Sequence, residues 1–149
     1  MKKLIVALDV HEKDEALEFV SKLSPYADIF KIGPILYLKT GPSIIKSIKE
    51  QGKGVFLDLK FHDIPNTVAR ACAAAAELGV WMMNVHASGG RKMMQAARQA
   101  LNESGNDRPL LIAVTVLTSM GQEDLLEVGV QDSPAKQVLR LAGLTRECG

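Results

Sequence analysis

The chain has few cysteines and no recognisable pattern of metal ligands. Its two cysteines, Cys72 and Cys148, are far apart and lack the spacing of zinc ligands. The three histidines, His11, His62 and His86, form no metal motif either. We therefore predict no metal and no other cofactor. Two unpatterned cysteines are typical of proteins of the reducing cytosol, so we also predict a cytoplasmic location.

The chain also lacks a large excess of positive or negative charge, and it lacks long apolar runs. The formal net charge is +1, and the basic residues are scattered without aromatic side chains between them, which argues against nucleic acid as a partner. No apolar run approaches the length of a membrane span, so no membrane partner is predicted. The apolar start ends at Asp9 without a small-residue cleavage site, which favours a buried strand over a signal peptide. At 47% apolar residues, we expect residues 1–149 to form a single globular domain.

Apolar runs and amphipathic segments alternate along the whole chain. Apolar runs predict strands over residues 4–9, 28–33, 80–86 and 109–118, and over the first part of 54–67. Spacing and end signals predict helices over residues 12–23, 44–50, 68–78, 89–102 and 135–146, with a short helical turn at 123–127. A strand–helix order repeated five times implies a parallel sheet with right-handed crossovers.

Proline, glycine and serine mark the ends of several predicted helices. Pro65 opens the helix that continues over 68–78, and Gly79 stops it. Ser88 is predicted to cap the helix over 89–102. Ser133, followed by Pro134 in the first turn, is predicted to cap the helix over 135–146.

Three charged residues, Asp58, Lys60 and Asp63, lie close together within the segment 54–67. In an extended strand side chains alternate, so Asp58 and Lys60 share one face. Opposite charges on an otherwise apolar parallel strand are costly unless they pair. This pattern alone leaves two interpretations open: an ion pair that only holds the structure, or a pair retained for chemistry.

The other predicted strands favour a functional site. Each carries a polar or ionisable residue at or near its C-terminal end: Asp9, Lys31, His86 and Thr118. In (β/α)8 barrels the reacting groups lie at that end and come from several strands. An open doubly wound sheet is the alternative, but no glycine-rich phosphate loop follows the first strand.

The segment 56–68 closely resembles the signature of the orotidine 5′-phosphate decarboxylases. The match includes the spacing of Asp58, Lys60 and Asp63 and the four residues that follow, Ile64 to Thr67. Further stretches fit the same family: 7–9, 30–33, 84–90 and 115–119. Other decarboxylases and aldolases of sugar phosphates share the Asp-x-Lys-x-x-Asp core but resemble this chain less after the last Asp.

The resemblance implies a (β/α)8 TIM barrel, of which this chain holds about the first five strand–helix units. The family's C-terminal strands, with the glutamine and arginine that grip the substrate phosphate, have no counterpart in this sequence. Such a barrel typically needs about 250 residues. We therefore expect exposed edges on the first and fifth strands, and no normal turnover by the isolated chain.

The implied reaction is the decarboxylation of orotidine 5′-phosphate to uridine 5′-phosphate, in pyrimidine synthesis, without a cofactor. Lys60 would be the proton donor, flanked by Asp58 and Asp63, and Lys31 would extend the charge array. His62 and His86 are interpreted as supports of the site rather than as proton carriers.

The resemblance also assigns substrate-binding residues and a partner. Asp9 would hold the ribose hydroxyls, Thr118 the pyrimidine edge, and Ile64 a further part of the nucleotide. Asp63 and Thr67 would reach into the site of a second subunit, which implies a homodimer with shared active sites. Two alternatives stay open: another sugar-phosphate decarboxylase or aldolase of this fold, with or without a metal, and a non-catalytic barrel fragment.

Overall fold

A single parallel sheet organises the computed structural model, which describes residues 3–103, 105 and 108–149. The strands lie side by side in chain order and every neighbouring pair is parallel. They are β1 (Ile5–Ala7), β2 (Ile29–Ile32), β3 (Gly54–Phe61), β4 (Met82–His86) and β5 (Leu110–Val114). Doubly wound sheets reverse their strand order at a switch point, and this sheet does not. The predicted fold class, the first five strand–helix units of a (β/α)8 barrel, is therefore confirmed.

Helices occupy the connections between the strands. They are α1 (Lys13–Leu23), α2 (Pro34–Thr40), α3 (Ser43–Glu50), α4 (Pro65–Glu77), α5 (Gly90–Glu103), α6 (Gln122–Glu127) and α7 (Pro134–Glu147). The six predicted helical segments are confirmed to within a residue or two at most ends, and Gly79, with φ of 68°, ends α4 as expected. Ser133 accepts a hydrogen bond from the Lys136 backbone N–H, which confirms the cap of α7.

Helix α2 was not predicted from the sequence. Leu36 is its buried residue, whereas Ile35 and Leu38 are exposed, so its apolar residues do not follow a helical stripe. Pro34 in the first turn was the available signal, because proline is favoured at that position.

Two predicted boundaries are wrong. A 3₁₀ turn (Ala87–Gly89) precedes α5, so Ser88 lies inside this turn and does not cap the helix. Strand β5 ends at Val114, well before Thr118, because its last partner is His86, where β4 itself ends. Beyond that point the chain has no neighbouring strand to pair with, and it turns.

The core lies between the sheet and its covering helices. Buried apolar side chains from both layers form one cluster, which includes Val20, Phe30, Ile45, Leu57, Met83 and Leu101. Cys72 of α4 belongs to this cluster, and burial raises the pKa of its thiol to about 11. The outer strands β1 and β5 leave Ile5, Leu110 and Ile112 exposed, which agrees with the expected exposed edges. The prediction of a buried strand at the start of the chain is therefore wrong, because β1 lies at the edge of the sheet and both Ile5 and Ala7 are exposed.

Within residues 3–103, 105 and 108–149, no helix is long and apolar enough to cross a membrane.

Candidate active site

An irregularity near the end of β3 shapes the site. Leu57 pairs with Met83 and Phe61 with Val85, so four residue steps on β3 lie opposite two on β4. Within this stretch Lys60 has φ of 51°, in the left-handed region that non-glycine residues seldom adopt. The regular alternation that placed Asp58 and Lys60 on one face is therefore wrong beyond Leu57. Bulges of this kind redirect side chains, and they often lie beside active sites.

Four predicted residues form one charge cluster, which consists of Asp9, Lys31, Asp58 and Lys60. The Lys60 Nζ lies 2.7 Å from Asp58 Oδ1. The Lys31 Nζ lies 3.4 Å from Asp58 Oδ2 and 3.4 Å from Asp9 Oδ1. The charges therefore alternate in sign along the cluster. Lys31 lies on β2, Asp58 and Lys60 lie on β3, and Asp9 follows β1. The parallel register of these strands aligns their C-terminal ends and brings the residues together.

Asp58 is the most buried member of the charge cluster, with 8% of its surface exposed. Burial alone raises the pKa of its carboxyl. The hydrogen bonds from Lys60 and Asn84 and the charges of Lys60 and Lys31 together outweigh burial, so the pKa lies below its ordinary value. Asp58 is accordingly ionised at neutral pH and fixes the ammonium groups beside it.

Asn84 is a site residue that the sequence reasoning did not single out. It lies on β4 with 2% of its surface exposed. Its Nδ2 donates to Asp58 Oδ1 at 2.6 Å, and its Oδ1 accepts from the Lys60 backbone N–H at 2.8 Å. The signal available was an amide inside the apolar run 80–86, since a buried polar side chain needs partners.

The charge cluster faces a cleft of about 360 Å³. All four of its members line this cleft, together with Gly33 and Pro34 at the start of α2. A volume of this size is typical of small-molecule sites. The arrangement can therefore present two ammonium groups, held by carboxylates, to a bound small molecule.

The remaining predicted site residues lie outside the charge cluster. Asp63, Ile64 and Thr67 follow β3 and are exposed, and Thr118 is exposed in the loop after β5. The Asp63 Oδ1 accepts the Ile64 backbone N–H at 2.6 Å. Among the described residues no ion pair joins Asp63 to Lys60. Within one chain, therefore, Asp58 is the carboxylate that contacts Lys60.

His62 and His86 lie next to the charge cluster at the ends of β3 and β4. Their ring centroids are 5.5 Å apart. Burial, and then the neighbouring His62 and Lys60, hold the pKa of His86 below its usual range. In the part of the chain that the structure describes, no three His, Cys, Asp or Glu side chains are grouped so that they could hold a metal ion.

Sequential parallel βα units, with charged side chains gathered at the C-terminal strand ends, are the architecture of barrel enzymes. A family profile described as "Orotidine 5'-phosphate decarboxylase / HUMPS family" matches residues 2–149. The chain belongs to this family, and the resemblance stated from its motifs is confirmed.

Relatives and solved structures agree with this assignment. The chain is 58% identical over 146 residues to the orotidine 5'-phosphate decarboxylase of Salmonella typhi, which covers 98% of this chain and 60% of that protein. It also resembles the crystal structure of orotidine 5'-phosphate decarboxylase from Lactobacillus acidophilus, with a TM-score of 0.91 and 39% identity over 100% of this chain and 69% of that one. The orotidine 5'-monophosphate decarboxylase of Methanocaldococcus jannaschii gives a TM-score of 0.82 at 28% identity, over 99% and 67% of the two chains. The chain thus spans 60% of the length of the curated relatives it matches.

Proposed function

We propose that this chain carries the ribose- and pyrimidine-handling part of an enzyme that decarboxylates orotidine 5′-phosphate to uridine 5′-phosphate. The names of its relatives support the reaction. The observation that carries the proposal is the Lys60 ammonium, 2.7 Å from the buried Asp58 carboxylate, both of which line the cleft.

Lys60 has two tasks in this proposal. When the bond from C6 of the pyrimidine to its carboxylate breaks, carbon dioxide leaves and the electron pair stays on C6, in the plane of the ring. A cation beside C6 stabilises this pair. The Lys60 Nζ then gives a proton to C6, which forms the C–H bond, and regains a proton from solvent. Asp58 directs the ammonium group of Lys60, because its Oδ1 lies 2.7 Å from the Lys60 Nζ.

A lysine by itself supplies only part of the required energy. A charge pair at 4 Å contributes about 4 kcal/mol at an effective dielectric constant near 20. Enzymes commonly lower barriers by roughly 8–23 kcal/mol. Preorganisation of the charge cluster and binding of the remote ribose and phosphate account for the remainder. In this scheme Asp9 binds the ribose hydroxyls and Thr118 the edge of the pyrimidine.

A second subunit completes the proposed site. Asp63, Ile64 and Thr67 are exposed at the end of β3 and the start of α4, and Ile64 has 66% of its surface exposed. Their position supports the proposal that they extend into the site of a partner subunit in a homodimer. The proposed enzyme uses no metal or organic cofactor. The cytoplasmic location stays a prediction.

The proposal is tested in a chimaera in which this chain replaces the matched segment of the Salmonella typhi relative. The purified chimaera, after exhaustive chelation and dialysis, is assayed for release of carbon dioxide from orotidine 5′-phosphate, with the unmodified relative as control. We expect turnover that added magnesium does not change. A folded chimaera without turnover would overturn the proposal. Activity lost on dialysis and restored by magnesium would support a metal-dependent lyase instead.

A further inference from the structure

Asn84 is a buried polar residue to which the proposed chemistry gives no task. It lies between apolar neighbours on β4, with Met83 before it and Val85 after it, and both are buried in the core. An amide in such surroundings is costly unless both of its ends are hydrogen-bonded. Both ends of Asn84 are bonded, and both bonds go to the charge cluster.

The Asn84 amide spans the bulge of β3. Its Oδ1 accepts the backbone N–H of Lys60, the residue with positive φ, at 2.8 Å. Its Nδ2 donates to the side chain of Asp58, two residues earlier, at 2.6 Å. The Asn84 side chain therefore holds two parts of the bulge at once, the backbone of Lys60 and the carboxylate of Asp58.

The same contacts fix how the Asp58 carboxylate is turned. Its Oδ1 accepts both from Asn84 Nδ2 and from Lys60 Nζ, at 2.6 and 2.7 Å. Its Oδ2 faces Lys31 Nζ at 3.4 Å. Oδ1 thus faces the ammonium group of Lys60, and Oδ2 faces that of Lys31. The hydrogen bond from Asn84 favours this orientation of the Asp58 carboxylate over one rotated about the Cβ–Cγ bond. The Asn84 hydrogen bond also contributes to the lowered pKa of Asp58, against the effect of burial.

We propose that Asn84 is a positioning residue, whose amide holds the β3 bulge in the conformation that directs the Lys60 ammonium into the cleft against Asp58. This inference rests on the function proposed for Lys60. In this proposal Asn84 acts through Asp58 and Lys60, its two hydrogen-bond partners. Its loss should affect the chemical step more than substrate binding.

The first test compares Asn84→Ala with Val85→Ala in the chimaera. Val85 is the next residue on β4 and equally buried, so its truncation also opens a space in the core but leaves the charge cluster untouched. We expect Asn84→Ala to lower kcat by about tenfold or more while KM changes by less than about threefold, the pattern of an interaction that acts in the transition state. Val85→Ala should keep kcat within about threefold. Equal effects on kcat in the two variants would overturn the inference.

A double-mutant cycle separates positioning from general support of the fold. If Asn84 acts through Asp58, Asn84→Ala should cost much less activity in an Asp58→Ala background than in the wild-type background, because contacting residues are not additive. The same fold-loss in both backgrounds would overturn the inference. If Asn84→Ala does not fold, as judged by circular dichroism, Asn84→Asp replaces it. That variant keeps the oxygen that accepts the Lys60 N–H and loses the donor to Asp58, and kcat should still fall.

A third measurement does not depend on the reaction. The carboxyl group of Asp58 is titrated by carbon-13 NMR in the chimaera and in its Asn84→Ala and Val85→Ala variants. The charged groups that face this carboxyl are Lys60 and Lys31, and Asp9 pairs with Lys31. We expect the pKa of Asp58 to rise in Asn84→Ala and to stay unchanged in Val85→Ala. An unchanged pKa in both variants would overturn the inference, whereas failure of the proposed function would appear as an inactive wild-type chimaera.

Discussion

Lys60 is a charged side chain that contributes little to the packing of the core. Its side chain is 31% exposed, and its contact in the charge cluster is with Asp58. Lys60→Ala should therefore leave the chimaera folded but lower kcat by about 10²-fold or more, the scale of losing one preorganised electrostatic group. Steady-state kinetics and thermal unfolding measure the two effects. Lys92→Ala, at an exposed position of α5, is the matched control and should change neither. Activity of Lys60→Ala within about tenfold of wild type, or about 1.4 kcal/mol, would contradict the assigned role.

Asp58 makes the stability of the fold depend on pH. Its pKa is lower in the folded chain than in an unfolded one, so the ionised carboxylate stabilises the folded state. This contribution is fully present above the ordinary pKa of Asp and is lost as pH falls through the lower, folded-state value. Denaturant unfolding at a series of acidic pH values should therefore show a loss of stability that is reduced in Asp58→Asn. Identical pH dependence in the two proteins would contradict the lowered pKa.

At the scale of the element, the bulge of β3 forces Lys60 into a conformation that suits glycine better. Left-handed geometry costs a residue with a Cβ about 1–2 kcal/mol relative to glycine. Lys60→Gly and Lys60→Ala both remove the ammonium group, but only Lys60→Gly relieves the backbone. We expect the glycine variant to be more stable by about 1 kcal/mol, measured as the difference in the free energy of unfolding. If Lys60→Ala is as stable as Lys60→Gly or more stable, residue 60 does not keep its positive φ in the folded variants, and the prediction is wrong.

Elements whose signals lie in neighbouring residues were predicted well. The six predicted helices appear because their apolar spacing and end residues act locally. Helix α2 was missed because two of its apolar residues, Ile35 and Leu38, are exposed. Its apolar residues therefore do not form the single buried stripe that indicates an amphipathic helix. Strand β5 was predicted too long because its length depends on where β4 ends, at His86, and not on its own apolar residues.

At the scale of the whole molecule, the proposed homodimer shares its active sites through Asp63. A Lys60→Ala chimaera and an Asp63→Ala chimaera, each inactive, are mixed under conditions of proven subunit exchange. If Asp63 acts in the partner's site, every heterodimer has one intact site, and random mixing should restore about a quarter of wild-type activity in a two-fold symmetric dimer.

A second mixture serves as the control for this prediction. Lys60 and Asp58 contact each other within one chain, so a mixture of Lys60→Ala with Asp58→Ala contains no intact site. Its activity should not rise above the residual activities of the two variants assayed separately. No recovery in the first mixture, or equal recovery in both, would contradict a site shared through Asp63.

The sequence by itself determined the alternation of strands and helices and the parallel sheet. Each of these follows from periodicity and spacing within a short segment. The motif around Asp58, Lys60 and Asp63 was also enough to identify the family, because its residues are adjacent in the chain.

Only the tertiary structure decided how the site is held. Asn84 contacts residues 24 and 26 positions earlier, and the left-handed conformation of Lys60 follows from the shifted register between β3 and β4. The structure likewise separated Asp63 from the charge cluster, although it is only three residues from Lys60. Side chains alternate between the two faces of a strand only where its hydrogen bonds to the neighbouring strand are regular. A bulge interrupts that regular pairing, and it depends on the register with the neighbouring strand, which the local sequence does not show.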